Sequence, residues 1–154
     1  MATGTSRVWR NWSERVECRP SNFAEPQSLE QLQSVVREAS AAGKKVRVVG
    51  SGHSFTEIVA TDDVLITLDG LQGVIEAKKD AGEATVWAGT KLHRLNPMLD
   101  EHGMAMENLG DINVQSIAGA FHPHPVVAGD RGAEDGIMTG QRGLHCGRLP
   151  LPKL

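Results

Sequence analysis

The stretch that most constrains the fold is "SLEQLQSVVREASAAGKKVRVVGSG", Ser28 to Gly52, where a helical period gives way to a strand period across one glycine and two lysines. Leu29, Leu32, Val35, Val36 and Ala39 recur on one helical face. Ser28 followed three residues later by Gln31 reads as a capping box. Gly43 is placed to end the helix in a left-handed C′ conformation. Val46, Val48 and Val49 then read as a buried strand.

After the Gly-Ser-Gly turn no helix starts. The chain passes through "HSFTEIVATDD" to a second apolar strand, "VLITL". "GVIEAKKDAGEATVWAG" predicts a hairpin with Asp80-Ala81-Gly82 as its turn. "TKLHRLNPMLDEHG" predicts a second helix with Thr90 as N-cap and Leu92, Leu95 and Leu99 on its apolar face; Pro97 predicts an irregularity or break in it. "MAMENLGDINVQSIAGA" follows, with Gly110 and Gly119 as bends. Strands and helices mix without strict alternation, which points to an α+β fold, a mixed sheet with flanking helices. From Phe121 to Leu154 neither period is present and prolines and glycines accumulate, so this part reads as loop or disorder. The expected organisation is an N-terminal arm over 1–14, a domain over 15–120 and a divergent tail over 121–154.

Composition narrows the function classes. A chain of 154 residues suits one domain with a real core. A formal net charge of −3 gives no reason to expect nucleic acid or an anionic membrane as partner. Aromatics are sparse and tyrosine is absent, so a core rests on Val, Leu, Ile and Ala. Cys18 and Cys146, far apart, form neither a metal-ligand spacing nor a disulfide framework. The charged N-terminus lacks the apolar region of a secretory signal, and no apolar run reaches membrane-span length. The expectation is a soluble, cytoplasmic chain.

The chemically suggestive feature is the loop Gly50-Ser51-Gly52-His53-Ser54 behind a strand. Glycines let backbone approach a ligand closely and adopt positive φ. Successive backbone N–H groups in such a turn can cradle an anion, and the Ser51 and Ser54 hydroxyls add donors. This suits a diphosphate. The Rossmann fingerprint is not met, because a third glycine and an immediate helix are missing; a Walker loop is excluded by the absent Gly-Lys-Ser/Thr ending. By itself the loop also fits an ordinary tight turn. A lone His53 fits a locally hydrogen-bonded turn residue, and nothing around it has metal-ligand spacing.

"VRVVGSGHSFTEI" resembles the first flavin-binding loop of FAD-linked oxidases of the vanillyl-alcohol oxidase superfamily, and among them the sugar-lactone and alditol oxidases. The flanks agree. "CRPSNFAEPQSLEQLQSVVREASAAGKKVR" is similar to the family's entry into its first helix. "DDVLITLDGLQGVIEAKKDAGEATVWAGTKLHRLNPMLDEHGMAMENLGDINVQSIAGA" is similar to the continuation up to the second flavin loop. The resemblance covers about residues 7 to 120 and implies the N-terminal portion of a PCMH-type FAD-binding domain. It implies FAD as cofactor, with Gly50, Ser51, Gly52, His53, Ser54 and Phe55 at the diphosphate and flavin. His53 would be bonded to the flavin 8α-methyl carbon. Asp111, Ser116 and Gly119 match the start of the second loop; for Ser116 the resemblance stands beside a plain helix N-cap.

The resemblance breaks after Ala120. Where the family carries a run like Ile-Ser-Thr-Gly-Thr-His-Gly-Thr-Gly, this chain has Phe121-His122-Pro123-His124-Pro125. A shifted reading frame or a truncation explains the loss better than a real divergent tail, which would need its own purpose; a metal pair at His122 and His124 is a poor one, with proline on each side and no third ligand. No catalytic residue transfers, because those of the family sit mainly in the absent cap domain. The implied activity is oxidation of the CH–OH group of a sugar lactone or polyol, with oxygen or another acceptor reoxidising the flavin. The alternative is a non-catalytic flavin- or nucleotide-binding module, or half of a split enzyme whose second chain carries the cap.

Overall fold

The structure is a computed structural model that describes residues 7–106 and 112–120, and the backbone of 144–148. The chain forms two compact units, one ending at Leu71 and the other starting at Gln72.

The first unit opens with a short antiparallel hairpin, β1 (Trp9–Arg10) and β2 (Glu17–Cys18). Arg10 lies opposite Glu17 in register, and its Nε donates to the Glu17 carboxylate at 2.9 Å. That hydrogen bond holds the Glu17 carboxyl below its ordinary range. β3 (Asn22–Ala24), α1 (Leu29–Ala41) and β4 (Val46–Val49) follow, and then β5 (Val64–Thr67). The sheet order is β3-β5-β4, all parallel. β5 is therefore central, and all four of its residues are buried. Its alternation sends Val64 and Ile66 to one face and Leu65 to the other. Val64 and Ile66 pack with Val35 and Ala39 of α1, so the helix covers that face. Leu65 packs with Cys18 and Val49, flanked by Trp9 and Phe23.

Ser28 Oγ accepts from the Gln31 N–H at 3.3 Å, as the capping box requires. Its reciprocal half differs: Gln31 Oε1 accepts from Gln27 N–H at 2.8 Å, one residue outside the cap. Gly43 has φ +65°, Lys44 N–H reaches Ala39 C=O, and Gly43 N–H reaches Ser40 C=O. This is the six-to-one and five-to-two pairing of a Schellman end. The apolar face is narrower than its sequence period: Val35 and Ala39 are buried, while Leu29 and Val36 are exposed. β4, read as a buried strand, is an edge strand, which leaves Val48 47% exposed.

The second unit contains β6 (Val74–Lys78), β7 (Glu83–Val86), α2 (Leu92–Glu101), β8 (Met104–Met106), α3 (Ile117–Ala120) and β9 (Leu144–Arg148). Its sheet runs β6-β7-β9-β8, with each neighbouring pair antiparallel. The hairpin turn is where the sequence puts it: Ala81 N–H reaches Lys78 C=O, Gly82 N–H reaches Lys79 C=O, and Gly82 has φ +67°. β9 lies in the part of the chain that carries neither period; residues 121–143 and 149–154 of that part lie outside the described residues. α2 packs Leu92, Leu95 and Leu99 against Ala84, Met104 and Ile117.

Two local expectations for α2 fail. The helix runs through Pro97 without a break. Its N-cap is Lys91, not Thr90. Thr90 is wholly buried and spent elsewhere: its Oγ1 accepts from Gly73 N–H at 2.9 Å and donates to Trp87 C=O at 2.6 Å. Thr90→Val keeps the shape and removes both bonds. It lowers the unfolding free energy by about 1–3 kcal/mol, read by urea denaturation, because the part-buried Gly73 N–H loses its acceptor, while the Trp87 C=O keeps its bond from the Thr90 N–H at 3.0 Å. An unchanged midpoint would mean that water replaces the hydroxyl.

Candidate functional site

The Gly50–Phe55 loop leaves the end of β4 in the first unit. Gly52 sits at φ +69°. A Cβ there would lie 3.3 Å from Trp9 Cζ2 and 3.6 Å from both the Asn11 Cα and the Trp12 N. Glycine at 52 is thus demanded by the backbone and by close approach of the arm. The arm residues Trp9, Asn11 and Trp12, to which the sequence assigned no role, form the platform under the loop.

Two hydrogen bonds fix that platform. Trp12 N–H donates to Gly52 C=O at 3.0 Å. The buried Asn11 donates through Nδ2 to Ser54 C=O at 3.0 Å, while its Oδ1 accepts from Val16 N–H at 3.1 Å. No cis peptide is present among the described residues. Across a trans peptide the C=O and the following N–H point opposite ways. With the Gly52 and Ser54 carbonyls turned toward the arm, the N–H groups of His53 and Phe55 are turned away from it. The loop therefore presents backbone donors on the side away from the arm, which suits an anion.

His53 is half-buried and stacks on Trp12, with ring centroids 5.4 Å apart and an interplanar angle of 21°. Phe55 is 68% exposed and meets Trp12 edge-on at 6.2 Å and 82°. The Ser54 hydroxyl is engaged locally, 2.9 Å from Thr56 Oγ1 and accepting from Thr56 N–H at 3.3 Å. Gly50 is exposed and Ser51 half-buried.

The residues matched to a second loop lie in the second unit. Asp111 lies outside the described residues. Ser116 forms an isolated antiparallel bridge with Lys91 and directly precedes α3. It is 2% exposed, and its Oγ has no hydrogen-bond partner among the described residues. The position is that of an N-cap, but the capping bond is not made. Gly119, expected as a bend, is inside α3, where a Cβ would make ordinary contact with Ser116 Oγ at 3.5 Å. No group of three potential metal ligands occurs among the described residues. No helix among them is long and apolar enough to cross a membrane.

Arm and loop together define a glycine turn at the end of a parallel β-strand, with an imidazole and aromatic rings beside it. Residues 20–123 match the family model described as FAD binding domain, a span that contains both loops. This chain belongs to the FAD binding domain family. It is similar to L-gulono-1,4-lactone dehydrogenase of Mycobacterium tuberculosis, at 44% identity over 115 residues, 75% of this chain and 27% of that protein. It is similar to D-arabinono-1,4-lactone oxidase of Kluyveromyces lactis, at 39% identity over 73% of this chain and 22% of that protein. L-gulonolactone oxidase of Mus musculus is 35% identical over 73% of this chain and 26% of its own length. The chain thus spans about a quarter of the length of these relatives. Among solved structures, cholesterol oxidase from B. sterolicum superposes with a TM-score of 0.64 at 21% identity, over 77% of this chain and 23% of that one. Alkyldihydroxyacetonephosphate synthase gives 0.64 at 17% identity, over 70% of this chain and 21% of that one. The α+β architecture is that of PCMH-type FAD-binding oxidases, as the sequence motifs implied.

FAD is the cofactor of this family, and the residues present fit it. The first loop directs N–H groups away from its protein support, which matches a diphosphate. The orphaned, buried Ser116 hydroxyl is a polar atom in want of a partner.

Proposed function

We propose that this chain is the FAD-gripping N-terminal part of an oxidoreductase that oxidises the CH–OH group of a sugar lactone or polyol. The carrying observation is the family match across residues 20–123, in which the His53 loop and the Ser116 segment occur in order. The names of the relatives supply the substrate class. In this reading Gly50, Ser51, Gly52, Ser54 and Phe55 line the diphosphate and flavin, and Asp111, Ser116 and Gly119 contribute from the second loop.

Bound FAD supplies acceptance of a hydride from the substrate carbon. The chain's own residues bind and orient it: loop N–H groups hold the diphosphate, and His53 anchors the ring through a bond to the 8α-methyl carbon. In that bond His53 would supply the imidazole nitrogen and the flavin its electrophilic methyl carbon. Substrate-holding residues are placed in the remaining three quarters of the relatives' length, on the same polypeptide or on a second chain.

An absorbance spectrum before and after acid precipitation of FAD-loaded protein tests both parts. The flavin bands are expected to precipitate with the protein. A protein that takes up no flavin overturns the cofactor assignment for this chain. A supernatant that carries all the yellow colour overturns the His53 bond alone.

A further inference from the structure

We propose that Trp12 is a positioning residue for His53: its indole face holds the imidazole ring so that the ring edge, which carries both nitrogens, is presented to the flavin. The proposal rests on the anchoring role of His53 given above.

The geometry points this way for three reasons. Both imidazole nitrogens lie in the ring plane, so an offset stack at 5.4 Å and 21° restricts the ring without using either nitrogen. A hydrogen bond to the ring would have restricted it at the expense of one of them. Trp12 is also itself fixed, so that it can fix something else. Its backbone N–H is tied to Gly52 C=O at 3.0 Å, one residue before His53, and its ring is met edge-on by Phe55 at 6.2 Å. Finally, Trp12 is 64% exposed. A large indole left mostly in water is not explained by core packing, whereas a role on the ring beside it explains it.

Asn11 completes the device from the same turn. It holds Ser54 C=O at 3.0 Å, on the other side of His53 from the Trp12 bond. The two arm residues therefore pin the backbone on both sides of the histidine, and the indole pins its side chain. A side chain held in one orientation meets its electrophile without losing rotamer freedom at that moment, and small misplacements are costly in such reactions.

The test compares the wild type with Trp12→Ala, Trp12→Leu and Trp12→Phe. Leucine keeps apolar bulk without a ring, and serves if alanine fails to fold; phenylalanine restores an aromatic face. NMR of the His53 ring protons is recorded without flavin, where the indole ring current displaces them. After incubation with FAD, total bound flavin and the fraction surviving acid precipitation are measured separately. In Trp12→Ala and Trp12→Leu the ring resonances are expected to move to those of an exposed histidine. Total flavin stays within about twofold, and the acid-stable fraction falls by about tenfold or more. Trp12→Phe recovers most of the loss. An unchanged acid-stable fraction in Trp12→Ala and Trp12→Leu overturns the proposal, as does a fall in total flavin parallel to it, which would mark Trp12 as support for the loop only. A wild type that releases all flavin in acid sinks the anchoring reading and the proposal together. Failure of the proposal alone shows instead as a wild type that retains flavin beside variants that retain it equally.

Discussion

Truncating Leu95 to alanine lowers the unfolding free energy of the second unit by about 2–5 kcal/mol. Leu95 is 0% exposed and lies where α2 meets the hairpin and β8, among Ala84, Leu92, Leu99, Met104 and Ile117. The loss has two parts, the transfer energy of the removed carbons and the cavity left among neighbours that cannot close on it. In a domain of this size each kcal/mol moves the melting temperature by about 4–8 °C, so the fall is at least about 8 °C by circular dichroism. Leu29→Ala is the control. Leu29 shares the helical apolar period in sequence but is exposed on α1, so its truncation changes stability by no more than about 0.5 kcal/mol. Equal effects at Leu29 and Leu95 would contradict this difference in burial.

The second large effect is at Gly52. Gly52→Ala places a methyl group on a backbone held at φ +69° and 3.3 Å from the Trp9 indole. The left-handed conformation costs an ordinary residue about 1–2 kcal/mol, and the indole must also give way. Because Gly52 C=O is the acceptor of Trp12 N–H, relaxation at 52 pulls the loop off its platform. Stability therefore falls and flavin uptake falls with it, by about tenfold or more on the same scale. Gly50→Ala separates support from ligand contact, since Gly50 is exposed and outside the left-handed region. Its alanine variant melts like the wild type, and any flavin loss it shows reports contact with the cofactor. A Gly52→Ala protein with unchanged melting and unchanged flavin uptake would remove the arm from the account of the site.

Much of the fold is legible where local chemistry decides. Ser28, Gln31 and Gly43 delimit α1 through hydrogen bonds made within a few residues, and Asp80-Ala81-Gly82 turns its hairpin for the same reason. Legibility fails where a local group finds a distant partner. Thr90 looks like a cap and instead bonds Gly73 and Trp87. Ser116 holds the cap position but leaves its hydroxyl unpaired. The arm is the largest omission. Two of the chain's three tryptophans, Trp9 and Trp12, fall in its first fourteen residues, a concentration of rare apolar bulk in polar sequence that was the available signal.

The sequence by itself determined the α+β class, the extent of α1, the hairpin turn, and the motif order that marks an FAD-binding domain, because each rests on short-range periodicity, turn chemistry or residue order. Tertiary structure alone decided that β5 is the buried centre of its sheet, that Gly52 is glycine because the arm lies against it, and that His53 lies on Trp12, forty-one positions away in the chain. Such contacts depend on which surfaces the folded chain brings together, and no local pattern encodes them.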